Sequence, residues 1–320
     1  MGGILPLLHA VNVSSLGVNA TDVGDDYVLD VYRGDLEHPE APGNKWHKLR
    51  YHLAEAKAQN ASVIATFGGP FSNHLHAFGN ALKPLSFKAI ALVRGELQPR
   101  LTPTLRDLAL QGVELWPTSR SDYRLAELSY VAEMINQKHE QVYWIPEGGG
   151  GQLGAMGCRD WARDIVRFAG GYDAWVVSAG TGTTAAGLLA CEDSPYVHVF
   201  SALKGAEGQQ KDIFQQALTL CSLEHHALNR TLGEKLHFHS DSHESGYAKY
   251  SPELDEFLRQ FARHNSDCWL DPVYTGKSMF GLIRAMRAGK WPYRKTLFIH
   301  TGGLQGWRGY SGVQNPFKEF

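Results

Sequence analysis

No apolar run in the 320-residue chain is long enough to cross a bilayer; stretches such as "SVIATFGG" stop after a few residues. The start, "MGGILPLLHA", has no basic residue of the kind that leads a secretory signal. Cysteine is scarce and scattered (Cys158, Cys191, Cys221, Cys268), with no CxxC pair, which predicts reduced thiols in a cytoplasm. Neither sign of charge dominates: 31 Lys and Arg against 33 Asp and Glu leave a formal charge of -2. Nucleic acid or an anionic membrane as partner would call for a basic surface, so neither is expected. Internal repeats, low-complexity tracts and obvious linkers are missing as well. The two domains that this length predicts should therefore be interleaved rather than strung in a row.

What the chain does have is short apolar runs, rich in β-branched or aromatic residues, that end in glycine or a small polar residue. They are "SVIATFGG" (62–69), "KAIALVRGE" (88–96), "QVYWIPEGGGG" (141–151), "AWVVSAGTG" (174–182), "YVHVFSALKG" (196–205) and "TLFIHTGG" (296–303). Helix-like stretches lie between them, such as residues 123–138, with Leu125, Leu128, Val131, Met134 and Ile135 on one stripe. Strand alternating with helix predicts an α/β protein built on open parallel sheets. The glycines at the strand ends matter most, because such sheets bind ligands at their carboxyl ends.

"SAGTGTTAAG" (178–187) follows a strand and runs into a helix start. Gly180 and Gly182 permit close backbone approach, and Thr181, Thr183 and Thr184 add hydroxyls. A phosphate held on a helix N-terminus suits that composition; the plainer alternative is a strand-to-helix turn. A dinucleotide would want an acidic residue at the end of the next strand, and "YVHVFSALKG" has none. A nucleoside triphosphate would want GK[ST], also missing. In "TFGGPFSNHLHAFGNA" (66–80), Ser72 and Asn73 are good helix caps, and with His74 they could equally hold a carboxylate. "DPVYTGKSMFGL" (271–282) places Tyr274 and Thr275 before Gly276 and a helix, and "PEGGGGQLGAMG" (146–157) is too glycine-rich for an idle loop. The fifteen histidines invite a metal reading, yet His237 and His239, sharing a strand face, lack a third ligand at a recognised spacing, as do His74 and His76.

"GNKWHKLRYHLAEA" (43–56) puts two lysines at a helix start, where the dipole disfavours a cation. At about 100° per residue, Trp46, Leu49, Leu53 and Ala56 form one apolar stripe. Lys45 then lies about 50° from its centre and Lys48 more than about 100°. Asn44 reads as the N-cap, Lys45 as the inward amine and Lys48 as the outward one. Burial and a helix N-terminus both favour the neutral, nucleophilic amine. Such an amine plus a phosphate cradle is what an enzyme using pyridoxal 5'-phosphate needs.

"GNKWHKL", "GGPFSNH", "SAGTGTTAAG", "DPVYTGKSM" and "HTGG" resemble, in order, the motifs of the 1-aminocyclopropane-1-carboxylate deaminase and D-cysteine desulfhydrase family. That family belongs to the tryptophan synthase β-like pyridoxal-phosphate enzymes of fold type II. The likeness runs from about residue 30 to residue 303. It implies Lys45 as the Schiff-base lysine, Ser72 meeting the substrate and Asn73 the cofactor's ring hydroxyl, with His74 beside them. Thr181, Gly182, Thr183 and Thr184 would form the phosphate loop. Tyr274 would be an active-site tyrosine and Tyr247 a second. The resemblance further implies a large domain of residues 1–47 and 144–320, a small one of residues 48–143, the cofactor in the cleft between, and a homodimer.

Deaminases of the family read "DPVYEGK" and "HLGG"; this chain has Thr275 and Thr301, the D-cysteine desulfhydrase pattern. A carboxylate keeps the cofactor's ring nitrogen protonated, which helps to open an unactivated cyclopropane. A hydroxyl does not, and suffices when the leaving group is a thiolate. The expected reaction is β-elimination from a D-amino acid giving pyruvate, ammonia and sulfide. The alternatives are the deaminase (2-oxobutyrate and ammonia), another deaminase, racemase or dehydratase, a cofactor-binding protein without turnover and, furthest out, a nicotinamide oxidoreductase. Departures from the family are Phe71 for its usual glutamine, Gly150 and Gly151 where "GGSN" is usual, and Gln305 and Trp307 for smaller residues.

Overall fold

Runs of β-branched and aromatic residues that must be covered on both sides have a natural place in the interior of a parallel sheet flanked by helices. The computed structural model contains two such sheets. It describes residues 7–24, 27–39, 41–97, 99–221, 226–244, 246 and 248–310. In chain order the strands are β1 (Leu8–Ala10), β2 (Val28–Tyr32), β3 (Val63–Gly68), β4 (Lys88–Arg94), β5 (Glu114–Thr118), β6 (Val142–Ile145), β7 (Ala174–Ala179), β8 (Tyr196–Ser201), β9 (Leu236–His239) and β10 (Lys295–Ile299). They divide between two units. The first holds the described residues of Met1–Glu37 and Cys158–Leu304, the second those of His38–Gly157 and Gln305–Phe320. The boundaries expected after residues 47 and 143 both fall inside the second unit.

The first unit carries the sheet β1-β2-β10-β7-β8-β9, in which β1 runs antiparallel to β2 and the other pairings are parallel. All six residues of β7 are buried. The helices Thr183–Leu189 and Thr275–Arg287 pack on β7 and β8. The second unit carries the all-parallel sheet β5-β4-β3-β6. Its two faces support two cores. Ile64, Ala91 and Val93 face Leu49, Leu75, Phe78, Leu105 and Leu108, whereas Val63, Ala65, Phe67, Ile90 and Leu92 face Tyr123, Ala132 and Ile135. That alternation is the period of two of a strand with both faces covered.

The six apolar runs each contain a strand; β1, β2, β5 and β9 complete the sheets. The helix expected over residues 123–138 is broken. A short helix, Arg120–Tyr123, is followed by a 3-10 turn, Ala126–Leu128, and Ser129 then caps Tyr130–Lys138 by accepting from Ala132 N at 3.1 Å. Ala132 and Ile135 form the buried face, while Leu125 and Leu128 are 54% and 88% exposed. A good N-cap in mid-stretch restarts the helix and rotates its face, which the apolar stripe could not show. No described helix is long and apolar enough to cross a membrane, and the four cysteines are free thiols.

Candidate active site

Each sheet reverses its strand order once, and the loops leaving the two strands at the reversal diverge there, opening the crevice where α/β sheets hold ligands. In the second unit the reversal lies between β3 and β6, whose carboxyl ends lead into Gly69–Phe71 and Pro146–Gly150. In the first unit it lies between β7 and β10, leading into Gly180–Gly182 and His300–Gly303. Four of the six glycine-ended runs thus leave their strands at switch points; those after β4 and β8 do not.

In the second unit the lysine motif forms the helix Asn44–Ala58, with two corrections to the sequence reading. Its N-cap is Gly43, at φ 77°, and Asn44 is the first helical residue, its Oδ1 accepting from Lys45 Nζ at 3.0 Å. Lys48 does not lean outward: it is 2% exposed, whereas Lys45 is half-buried. The helix buries Asn44, His47, Lys48, Leu49, His52 and Ala56, leaving Trp46 and Leu53 at the border. Polar residues can occupy that face because the glycine loop packs on it. His52 donates from Nε2 to the Gly150 carbonyl at 2.9 Å, and its Nδ1 meets the Tyr143 hydroxyl at 3.0 Å. At Gly149, φ is 68°, and a Cβ there would come within 3.1 Å of Lys48 Cβ and 3.5 Å of His74 Nδ1.

Ser72 caps the helix Asn73–Leu82, its Oγ accepting from Leu75 N at 3.2 Å. Asn73 Oδ1 accepts from Gln305 Nε2 at 2.9 Å, a pairing of residues 232 apart that no local pattern announces. Phe71, 48% exposed, packs its ring against Gly309, and Trp307 is buried in the same turn. His74 is 2% exposed. The Thr66 hydroxyl donates to the Ile145 carbonyl at 2.8 Å, so it accepts from His74 Nε2, also 2.8 Å away. His74 Nδ1 is then a bare acceptor, and among the described residues it has no hydrogen-bond partner. Burial, reinforced by the nearby Lys45 and Lys48 amines and His52, holds this imidazole neutral, well below the ordinary histidine range.

In the first unit, Gly182 stands before the helix Thr183–Leu189 with φ 84°, a conformation that favours glycine. Thr183 and Thr184 are buried, and Thr181 is exposed with its Oγ1 3.3 Å from that of Thr183. Gln209 Nε2 donates to the Gly180 carbonyl. Gly180 has no room for a side chain, since a Cβ would lie 3.0 Å from Tyr274 Cε1 and 3.3 Å from its hydroxyl. Two residues earlier, in β7, Ser178 Oγ is buried without a hydrogen-bond partner among the described residues.

Tyr274 is the N-cap of the helix Thr275–Arg287. Asp271 organises that start: one carboxylate oxygen accepts from Val273 N (2.8 Å) and Tyr274 N (2.9 Å), the other from Thr275 N (2.8 Å) and Thr275 Oγ1 (2.7 Å). Thr275 Oγ1 also accepts from Asp271 N at 2.8 Å. With its hydrogen committed to Asp271, the Thr275 hydroxyl has only acceptor capacity left. Lys277 in the same motif is 1% exposed and donates to the carbonyls of His243 (2.9 Å) and Gly246 (2.8 Å). Burial lowers its pKa to about 8. Held on two carbonyls, it is a structural lysine. Tyr247 lies outside the described residues.

The histidines of β8 and β9 form a stack. His198 lies 4.4 Å from His237 and 5.3 Å from His239, ring centre to ring centre. Among the described residues no group of three or more His, Cys, Asp or Glu is placed to hold a metal ion. Sequence reasoning named Gln305 as a departure from the family without its partner Asn73, and it missed His52, Thr66, Asp271 and His300. Only Asp271 left a local signal, an aspartate two to four residues before the amides it caps.

No protein-family model matches the chain. A Thermotoga maritima protein provisionally named 1-aminocyclopropane-1-carboxylate deaminase is 32% identical over 295 residues, 89% of this chain and 92% of the relative. The bifunctional D-cysteine desulfhydrase/1-aminocyclopropane-1-carboxylate deaminase of Arabidopsis thaliana, a mitochondrial protein, is 31% identical over 301 residues, 87% of this chain and 73% of the relative. A solved structure described as an ACC deaminase homologue superposes with a TM-score of 0.78 at 26% identity, covering 93% of this chain and 89% of its own. Identity at this level across nearly the whole length shows that the chain belongs to the 1-aminocyclopropane-1-carboxylate deaminase and D-cysteine desulfhydrase family.

Proposed function

We propose that the protein is a pyridoxal 5'-phosphate-dependent lyase that acts on D-cysteine or a closely similar small D-amino acid, giving pyruvate, ammonia and sulfide. The observation that carries this reading is the glycine–threonine turn at the switch point of the six-stranded sheet. It offers the amides of a helix start, buried hydroxyls and the orphaned Ser178 Oγ, under the ring of Tyr274. These groups fit a phosphate and a flat ring, and Lys45 fits the amine that such a cofactor requires. The cofactor, when bound, supplies an aldehyde for the amine and a ring that draws electrons from Cα.

The chain's own residues have the remaining roles. Thr181, Gly182, Thr183 and Thr184 hold the phosphate. Lys45 is the amine for the aldehyde and the base that takes the Cα proton. Ser72, at a capped helix start, binds the substrate carboxylate, with Asn73 oriented beside it by Gln305. Tyr274 faces the substrate, and Tyr247 is proposed to do so from sequence alone. The cyclopropane substrate is the second reading. The hydroxyl of Thr275 is too weak a base to hold a ring nitrogen protonated as a glutamate would, which favours elimination of a good leaving group. We further propose a cytoplasmic homodimer, a reading supported by the four free thiols for the compartment and by the family likeness for the assembly.

The test is a panel of D- and L-amino acids and 1-aminocyclopropane-1-carboxylate, assayed for pyruvate, 2-oxobutyrate, ammonia and sulfide. D-cysteine should give the highest kcat/KM, and Lys45→Ala should abolish both turnover and the visible absorption band of the reconstituted protein. A band that survives Lys45→Ala would remove the assignment.

A further inference from the structure

Several loops of the first unit bear on the proposed site, and only some are held by hydrogen bonds within their own segment. The segment Trp269–Thr275 is closed on itself by Asp271. The turn Thr301–Gly303 is not: Gly302 and Gly303 have φ of 82° and 97°, and the bond holding Gly302 comes from His300.

His300 is fully buried. Its own N–H donates to the Tyr32 carbonyl at 2.9 Å, which fixes its backbone to β2. On the ring, Nε2 lies 2.7 Å from the Trp269 carbonyl. A carbonyl can only accept, so Nε2 carries the hydrogen. Gly302 N–H donates to Nδ1 at 3.1 Å. Both nitrogens are therefore used, in the neutral form with hydrogen on Nε2, and their roles are not interchangeable.

The backbone at His300 is closely packed as well: a Cβ on Gly34 would come within 2.7 Å of the His300 carbonyl and 2.6 Å of Trp161. The Arg33 guanidinium pairs with Asp35 through Nε (2.9 Å) and Nη2 (2.8 Å), and its Nη1 donates to the Asp267 carbonyl at 2.5 Å. The backbone at Asp267 and Trp269 is thus tied at two points to residues of β2 and β10 or next to them. Asp35 Oδ1 stands 3.5 Å from His300 Nδ1, with both its carboxylate oxygens accepting from Arg33.

We propose that His300 is a positioning residue that locks the segment carrying Tyr274 and Thr275 to the turn carrying Thr301. Those two threonines are the positions that separate the two branches of the family in the function proposed above, and the inference rests on that reading for its consequence. One rigid imidazole then sets the distance between them, and substrate preference belongs to the locked pair rather than to either threonine alone.

Two substitutions divide the ring's roles. His300→Gln can keep a donor for the Trp269 carbonyl but loses the acceptor for Gly302; His300→Asn can keep the acceptor for Gly302 but loses the donor. In hydrogen exchange on the unliganded protein, His300→Asn should speed exchange at Asp271, Val273, Tyr274 and Thr275 by about tenfold and leave Gly302 protected; His300→Gln should do the reverse. In the kinetics, His300→Asn should shift the ratio of kcat/KM for D-cysteine over 1-aminocyclopropane-1-carboxylate by roughly five- to tenfold. It should also make the effects of Thr275→Glu and Thr301→Leu on that ratio additive, where in the parent they are coupled. Identical exchange patterns in the two variants, or coupling that survives His300→Asn, would overturn the proposal. Should neither variant fold, nitrogen NMR of the wild-type protein decides: hydrogen on Nε2 is required, and hydrogen on Nδ1 refutes it. A wild-type protein that turns over neither substrate would sink the functional reading, while the exchange experiment would still judge His300.

Discussion

Three lysines illustrate how the fate of a single residue depends on what it meets. Lys277 is buried on two carbonyls, Lys48 is buried beside Gly149, and Lys45 is half-exposed at a helix start with Asn44 as partner. Of the three, Lys45 combines access with a helix N-terminus, whereas the helical stripe had made it the inward amine and Lys48 the outward one. The environment of Lys48 depends on Gly149, whose φ of 68° and near contact leave little room for a side chain. Gly149→Ala should therefore destabilise the second unit by about 1–3 kcal/mol through left-handed strain and displacement of Lys48. Urea denaturation followed by tryptophan fluorescence measures this, and an unchanged midpoint would contradict it.

At the scale of elements, helix starts do most of the positioning. Ser72, Thr102, Ser119, Ser129 and Ser251 each accept from an amide of the first turn. Asp271 does the same for Thr275–Arg287 from a preceding loop, with three amides and a hydroxyl. Replacing its carboxylate by an amide turns one acceptor oxygen into a donor that faces donors. Asp271→Asn should cost about 2–4 kcal/mol and speed amide exchange at Val273–Thr275. Exchange no faster than in the parent would show that the carboxylate does not hold this start. Much at this scale was legible in the sequence. The glycine-ended runs contain strands, and their motifs lie where parallel sheets bind ligands. The break at Ser129 was not, because an apolar stripe is blind to a cap that resets the helix.

For the molecule as a whole, buried histidines predict the pH response. Burial holds His198 at about 2, with help from His237 and His239, and His76 at about 4, with help from Arg308. His74, His52, His237 and His239 are also lowered, chiefly by burial. Each pKa is depressed in the folded state, so between it and about 6.5 the unfolded chain binds more protons. Stability from these groups is complete above about pH 6.5 and is lost as pH falls toward the folded values. The thermal midpoint should drop steeply between about pH 6.5 and 4, at about 1.4 kcal/mol per pH unit for each proton taken up. His198→Phe, which keeps a ring in the stack and removes one proton, should flatten that limb. A flat profile in the parent would show that these histidines are accessible.

The sequence alone determined the alternation of strand and helix, the placing of chemistry-bearing residues on strand-end glycine loops, and the family. Those features are local: each needs only a run of apolar residues, a glycine and a polar neighbour within about ten positions. Tertiary structure decided which strands are neighbours and where each sheet reverses. It also buried Lys48 and paired Gln305 with Asn73, and it gave His300 its two partners. Each of these depends on groups far apart in the chain meeting in a water-poor interior, where an unpaired polar atom costs more than any local propensity contributes.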